Sequence, residues 1–316
     1  MSVYTAVPAA DLARLLETNS VGTALACEGI LEGVENSNYF LTTTRGRYVL
    51  TLFESTPAAA LPFFLNLMAY LADRGIPAPR PALTHAGQAV HTLCAKPAAI
   101  LQRLPGASPL RPDAAQCAAV GGMLGRMHLA VADLADTCAS TRGPEWRTAI
   151  AARIAARCGP DERQLLQEEM ALQARQPLRG LPAGVVHGDL FRDNVLFNGA
   201  TLSGIIDFYY AAHEPFVYDL AVTFADWCFT GDGWSRECAG ALLVAYRAER
   251  EIETAERTAW PFALRAAGLR FWLSRLQDAL YPKPGGMVLI KNPAQCRSVI
   301  LAARREPERL AACWQG

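Results

Sequence analysis

The chain of 316 residues is 51% hydrophobic and 19% charged, with a mean hydropathy of +0.11. That core-rich composition excludes a disordered chain and favours two lobes over one. Its 30 basic and 30 acidic side chains cancel, so bulk charge draws it to neither nucleic acid nor an anionic membrane, and a small-molecule partner is expected. The most apolar stretch, Ala58 to Ala72, is broken by Pro62, Asn66 and Tyr70 and falls short of the ~20 residues a bilayer span needs.

The opening MSVYTAVPAADLARLLE has neither a basic n-region nor an apolar h-region. Nine scattered cysteines form no C-x-x-C pair, which argues against a disulfide framework or a zinc site. A reduced, cytoplasmic protein is the expectation. In chain order, a first helix is predicted over Ala9–Glu17. Two β-branched and aromatic runs follow, Asn38–Thr42 and Arg47–Phe53, with Arg45-Gly46 as the turn of a hairpin. Pro57 to Asp73 has helical spacing, and GIPAPRP ends it because Gly and Pro do not continue a helix. Short strands are predicted near Gln88–Thr92 and Ala98–Gln102. After LPGASPLRPD the pattern turns helical, over Asp113–Asp133, Glu145–Arg157 and Asp161–Arg175. A small β island at 184–209, turning at Asn198-Gly199, interrupts it, and 215–312 is helical again. The expected organisation is α+β, with a strand-rich lobe over 1–103 and a larger, mostly helical lobe over 104–316 that carries an embedded hairpin. Sites commonly form between such lobes.

The island contains the stretch VVHGDLFRDNVLF (185–197) and then GIIDF (204–208). Asp189 and Asn194 sit five apart in a polar loop between apolar runs, and Asp207 ends the second run thirteen residues beyond Asn194. Isolated Asp and Asn residues usually cap turns. Here the spacing gathers three oxygen-bearing side chains at one end of a two-stranded hairpin. Carboxylate and carbonyl oxygens suit magnesium, which keeps waters and substrate phosphates in its shell. A magnesium ion on ATP phosphates, with one more carboxylate to orient a hydroxyl, is the minimum equipment of phosphoryl transfer, and H-x-D-x-x-x-x-N is the spacing protein kinases use for it. Arg192 is a candidate for a phosphate or substrate carboxylate, and Asp193 reads as a solvated loop charge. The five histidines show no i, i+4 or H-x-H pairing, so a histidine metallohydrolase fails on inventory.

HGDLFRDN with IIDF resembles the aminoglycoside-phosphotransferase and choline-kinase-like superfamily, distant relatives of protein kinases. The segments EGVENSNYFLTTTRGRYVLTLFE, KPAAILQRLPG, VVHGDLFRDNVLF, IIDFYYA and LRAAGLRFWLSRL, spread over residues 28–276, together resemble the bacterial homoserine kinases of that fold. The resemblance implies a two-lobed protein-kinase-like enzyme that phosphorylates the hydroxyl of L-homoserine with ATP and Mg2+, as a monomer or homodimer. It makes Asp189 the residue that accepts or orients the hydroxyl proton, and Asn194 and Asp207 the magnesium ligands, with His187 bracing the loop. A phosphate-covering hairpin would carry Gly33, Glu35, Asn36, Ser37 and Asn38, and the adenine would lie against Leu101 to Leu104. The strand lysine of kinases is absent, with Thr51 in its place, and the following helix has no glutamate to pair with one. Lys96 and Arg47 are the candidate replacements. For the acceptor, Arg192, Tyr209, His213, Glu214, Arg265, Arg270 and Arg275 are candidates, a guanidinium for the carboxylate and an acid for the ammonium. Asp219 reads as a helix cap, and Trp227, Trp260 and Trp272 as core. An aminoglycoside, choline or sugar kinase, and a silent nucleotide-binding module, remain as competing readings.

Overall fold

Five antiparallel strands organise the first hundred residues of the computed structural model, which describes residues 4–30, 35–175, 178–230, 233–281 and 291–315. The chain divides between Pro105 and Gly106 into two units. In the first, α1 (Ala9–Glu17) is followed by β1 (Ala24–Gly29), β2 (Ser37–Thr43) and β3 (Gly46–Leu52). After α2 (Leu61–Asp73) come β4 (His91–Leu93) and β5 (Lys96–Gln102), giving the sheet order β1-β2-β3-β5-β4. The β2–β3 turn is Thr44-Arg45, one residue before the predicted pair, because Thr43 still pairs with Gly46. The predicted helix from Pro57 begins as a short 3-10 turn at Ala58–Ala60 before becoming α2.

Strand alternation decides what each side chain meets. Tyr39, Leu41, Leu50, Leu52, Ala98 and Ile100 share the face on which α1 lays Leu12, Leu15 and Leu16. Burying each such aliphatic side chain contributes about 1.5–3 kcal/mol. Asn38, Phe40, Thr51 and Leu101 alternate onto the opposite face.

In the second unit α3 (Ala114–Ala130) starts at a capping box between Asp113 and Gln116. It is followed by α4 (Pro144–Ala155) and α5 (Pro160–Ala174). The β island holds four strands rather than one hairpin: β6 (Ala183–Val186), β7 (Val195–Asn198), β8 (Thr201–Ile205) and β9 (Ala212–Pro215). β7 pairs with β8 through the two-residue turn Gly199-Ala200, one step later than predicted, with Gly199 at φ +62°. β9, beyond the predicted end of the island at 209, pairs back onto β6. α6 (Phe216–Trp227), α7 (Arg236–Glu249), α8 (Thr254–Leu280) and α9 (Pro293–Arg305) complete the helical layer. α3 meets α7 backbone to backbone, since a Cβ on Gly121 would lie 2.1 Å from the Leu242 carbonyl oxygen. Trp227, Trp260 and Trp272 are fully buried, as expected of core residues. The nine cysteines are free. Among the described residues no helix is long and apolar enough to cross a membrane.

Candidate active site

The His187-Gly188-Asp189 loop leaves the end of β6 with Gly188 at φ +74°, where a side chain would also strike the Tyr210 carbonyl oxygen at 2.7 Å. Glycine meets both demands. The loop hangs on Asp219. That carboxylate, fully buried, accepts the backbone N–H of His187 at 2.9 Å and of Gly188 at 2.8 Å. Asp219 is therefore not the predicted helix cap: it lies inside α6, whose cap position is Pro215, and its oxygens face the loop. It also accepts His128 Nε2–H at 3.1 Å, while His128 Nδ1 takes the Tyr246 hydroxyl at 2.7 Å. Arg250 continues the line, with Nη1 3.3 Å from the same hydroxyl and a two-pronged contact to the buried Glu256 carboxylate at 2.9 and 3.2 Å. Burial raises the Asp219 pKa, but the hydrogen bonds from His128 and the Gly188 N–H hold it below the usual carboxylate value. Burial pushes His128 down, keeping its ring neutral.

His187 is placed by two contacts that fix its tautomer. Nε2–H donates to the Ile206 carbonyl at 3.0 Å, and Nδ1 accepts the Asp189 N–H at 3.2 Å. Burial lowers its pKa as well. With neither ring nitrogen open, His187 braces the loop and has no lone pair to act as a base.

Asp189 and Asn194 meet directly. The Asn194 amide donates to the Asp189 carbonyl at 2.8 Å and to Asp189 Oδ2 at 3.2 Å. Arg270 Nη1 lies 3.3 Å from Oδ1, so the Asp189 carboxylate is held from both sides while its side chain stays 18% exposed. Asn194 is tied to the strand carrying Asp207, because its carbonyl accepts the Ile206 N–H at 2.9 Å. The Ile206 peptide is thus bonded on one side to Asn194 and on the other to His187. Asp207 follows at φ +66°, ψ +58°, a left-handed conformation uncommon for residues other than glycine and concentrated at functional sites. Its side chain is exposed.

With the Asn194 amide nitrogen engaged by Asp189, the amide oxygen faces away as the remaining donor atom. Asn194 and Asp207 supply one amide and one carboxylate oxygen, hard donors that fit Mg2+ and not a soft metal. Among the described residues no group of three or more His, Cys, Asp or Glu is arranged to hold a metal.

In the first unit the structure redirects two predicted nucleotide ligands. Ser37 and Lys96 lie on the α1 face of the sheet. The Ser37 hydroxyl receives the N–H of Tyr4 and Thr5 at 2.8 and 3.0 Å and donates to Glu54. Lys96 pairs with Glu54 and with the Thr5 hydroxyl. Both are engaged in a latch that holds the N-terminal segment. A Lys–Glu pair is present, but it runs from β5 to Glu54, two residues beyond β3, and the strand lysine and helix glutamate of kinases are absent as expected. Asn38 sits on the opposite face, its Oδ1 accepting the Thr51 hydroxyl at 2.8 Å. Asn36 Oδ1 is buried without a donor, and Glu35 is exposed. Gly33 lies outside the described residues. Leu101 is fixed in β5, opposite Val49. Beyond Arg103, whose N–H reaches the Arg47 carbonyl at 3.1 Å, the Leu104 backbone N–H and carbonyl make no backbone bond among the described residues. Arg47 itself is exposed.

The acceptor candidates separate. Arg192 donates through its backbone N–H and Nε to the buried Asp226 at 2.8 and 3.0 Å, and through Nη1 to the Leu110 carbonyl. Arg265 grips Glu169 in two contacts of 2.8 and 2.9 Å, and Arg275 serves the Asn292 carbonyl and Gln295. Of the helix arginines, Arg270 alone meets Asp189, and its guanidinium also lies 4.8 Å from the Tyr210 ring. Tyr209 and Glu214 are half-buried and His213 is exposed. Arg142, which sequence reasoning missed, donates to the Tyr210 hydroxyl at 2.8 Å. Nothing in the run TRGPEWR marked it beyond a helix start at Pro144.

Residues 26–260 match the model of the phosphotransferase enzyme family. Proteins named homoserine kinase are similar along almost the whole chain. The one from Methylobacillus flagellatus is 42% identical, covering 99% of both chains, and the one from Neisseria meningitidis serogroup B is 39% identical, covering 96% of this chain and 99% of its own. Among solved structures, a spectinomycin phosphotransferase with ADP and spectinomycin superposes with a TM-score of 0.69 at 15% identity, over 96% of this chain and 100% of that one. A choline/ethanolamine kinase family protein from Mesorhizobium loti gives 0.66 at 17%, over 97% and 98%. These two carry the fold, which is the two-lobed protein-kinase-like one. The chain belongs to the phosphotransferase enzyme family, among its full-length relatives named homoserine kinase.

Proposed function

We propose that this chain transfers the γ-phosphoryl group of ATP to the side-chain hydroxyl of L-homoserine, giving O-phospho-L-homoserine and ADP, a cytoplasmic step towards threonine. The observation that carries the reading is the Asp189 carboxylate, held between Asn194 and Arg270, with the Asn194 carbonyl bonded in turn to the N–H of Ile206, the residue before Asp207. Near-full-length relatives named homoserine kinase supply the acceptor.

Asp189 orients the acceptor hydroxyl and takes its proton as the oxygen bonds to the γ-phosphorus and the bond to the β,γ-bridging oxygen breaks. Asn194 and Asp207 hold Mg2+, which neutralises charge on the phosphates. Catalysis then rests on positioning and on charge stabilisation. We assign the nucleotide-covering role to residues 1–103, with Asn36 and Asn38 toward phosphate and the Leu104 backbone toward adenine. Residues 104–316 carry the catalytic and acceptor roles, and the enzyme works as a monomer or homodimer.

The test is ADP release with Mg-ATP across a panel of L-homoserine, choline, amino sugars and simple sugars. Turnover confined to L-homoserine is the expected result. Turnover confined to choline or a sugar moves the acceptor while keeping the chemistry. Silence with every acceptor, alongside measurable ATP binding, rejects catalysis.

A further inference from the structure

Next to the catalytic loop lies a second group of charged and aromatic side chains that phosphoryl transfer does not use. Tyr210 follows Asp207 by three residues, and its carbonyl is the group that Gly188 abuts. Its ring lies 4.8 Å from the Arg270 guanidinium and 5.1 Å from that of Arg142, which also donates to the Tyr210 hydroxyl at 2.8 Å. A wall therefore runs from Asp189 through Arg270 and Tyr210 to Arg142, which lies just before α4. Arg147 stands on the first turn of α4, and Glu214 on β9. The His213 N–H on β9 bonds the Cys138 carbonyl at 2.8 Å, which holds the segment leading to α4 beside that strand.

The Arg147 Nε is buried with no hydrogen-bond partner, and the side chain forms no hydrogen bond or ion pair among the described residues. An unmet buried donor carries a free-energy cost that a ligand removes on arrival. Glu214 faces it. Burial pushes the Glu214 carboxyl up, and the Ser140 side chain, the positive charge of Arg147 and His213 pull it back down. Tyr218, from α6, feels the charges of Arg270, Glu214 and Arg147 together. A carboxylate and a guanidinium near enough to act on each other, yet without an ion pair between them, leave room for a zwitterion. Homoserine has one: its hydroxyl is two methylenes away from a carbon bearing both an ammonium and a carboxylate.

Resting on the homoserine kinase reading, we propose that Arg147 receives the α-carboxylate of the acceptor and Glu214 its α-ammonium. The Arg270–Tyr210–Arg142 wall sets the distance from that pair to Asp189. Arg147 and Glu214 are then specificity residues for an α-amino acid.

Substrate truncation tests this directly. 3-Aminopropan-1-ol is homoserine without the carboxylate, and 4-hydroxybutyrate is homoserine without the ammonium. Each acceptor is measured as kcat/KM or, where turnover is too slow, as Ki against homoserine, with wild type, Arg147→Met and Glu214→Gln. Losing one charge-assisted contact lowers kcat/KM by roughly 10- to 100-fold. Arg147→Met is expected to shrink the preference for homoserine over 3-aminopropan-1-ol by that factor, and Glu214→Gln the preference over 4-hydroxybutyrate. If both variants lower all three acceptors equally, or none, the proposal is overturned. Should Arg147→Met fail to fold, Arg147→Lys keeps the charge, loses the fork, and is read by the same preference ratio. Absence of homoserine turnover by wild type rejects the function reading instead, an outcome separate from these.

Discussion

Asp219 and Gly188 are joined by a 2.8 Å hydrogen bond from the loop N–H to a carboxylate that sees no solvent. The bond anchors the 187–189 loop to α6. Asp219→Ala leaves two backbone N–H groups and the His128 ring without their acceptor. Removing one partner from such a buried polar cluster costs about 3–5 kcal/mol. A lowered melting temperature together with a kcat loss greater than the change in KM for ATP is expected, by thermal melt and steady-state kinetics. A variant that melts like wild type and turns over normally would remove Asp219 from the positioning role.

Asp189→Ala takes away the group proposed to accept the hydroxyl proton. General-base contributions run to about 10²–10⁴-fold, so kcat is expected to fall by orders of magnitude while ATP affinity, followed by calorimetry, and the melting temperature change little. Asp189→Asn retains the shape of the side chain and is expected to be comparably slow, which separates charge from packing.

Acid should unfold this protein earlier than its carboxylates alone would predict. His128 and His187 are buried and their pKa values lie below the ordinary 6.5. Below pH 6.5 the unfolded chain takes up protons on these rings and the folded chain does not. Stability therefore falls as pH drops from 6.5 toward the folded pKa values, by up to about 1.4 kcal/mol per pH unit for each histidine. Melting temperatures measured from pH 8 to 5 should be flat above 6.5 and decline below it. A flat profile down to pH 5 would mean that the rings are protonated in the folded state.

Lys96 provides a contrast between two roles. As a partner of Glu54 and Thr5 it stabilises the N-terminal latch, and Lys96→Met is expected to cost about 1 kcal/mol, since the pair is partly exposed. KM for ATP should stay within about twofold. A tenfold rise in that KM, with stability unchanged, would return Lys96 to the phosphates.

Gly188→Ala combines strain at φ +74° with a 2.7 Å approach to the Tyr210 carbonyl. A left-handed alanine alone costs about 1–2 kcal/mol, and here the loop must also shift. Lost activity in a folded protein is the expected result, by circular dichroism beside the ADP assay.

Much of the fold was legible because local rules governed it. The first helix was bounded at Ala9 and Glu17 by its apolar spacing, and the β2–β3 hairpin by its β-branched runs. Errors arose where pairing overruled composition. Thr43 and Asn198 stayed in their strands and moved each turn one residue on or back. β9 exists only because β6 needs a partner, a demand no local pattern carries. At the site, the spacing of residues 189, 194 and 207 was visible in one dimension. What Ser37, Lys96 and Arg192 face was not, because the side of a strand or the reach to Asp226 is a three-dimensional matter. Asp219 read as a cap for the same reason, its acceptors being claimed by a loop thirty residues away in sequence.

The amide of residue 206 donates to Asn194 and its carbonyl accepts from His187. Wiring of this kind runs through the main chain, so the identity of the residue at 206 is released from selection for those two contacts. Swapping isoleucine for another apolar residue would leave the connection intact and pass unnoticed in a mutational scan. Cutting it takes a change of backbone chemistry: an ester in place of the 205–206 amide deletes one bond at a single atom and leaves every side chain alone.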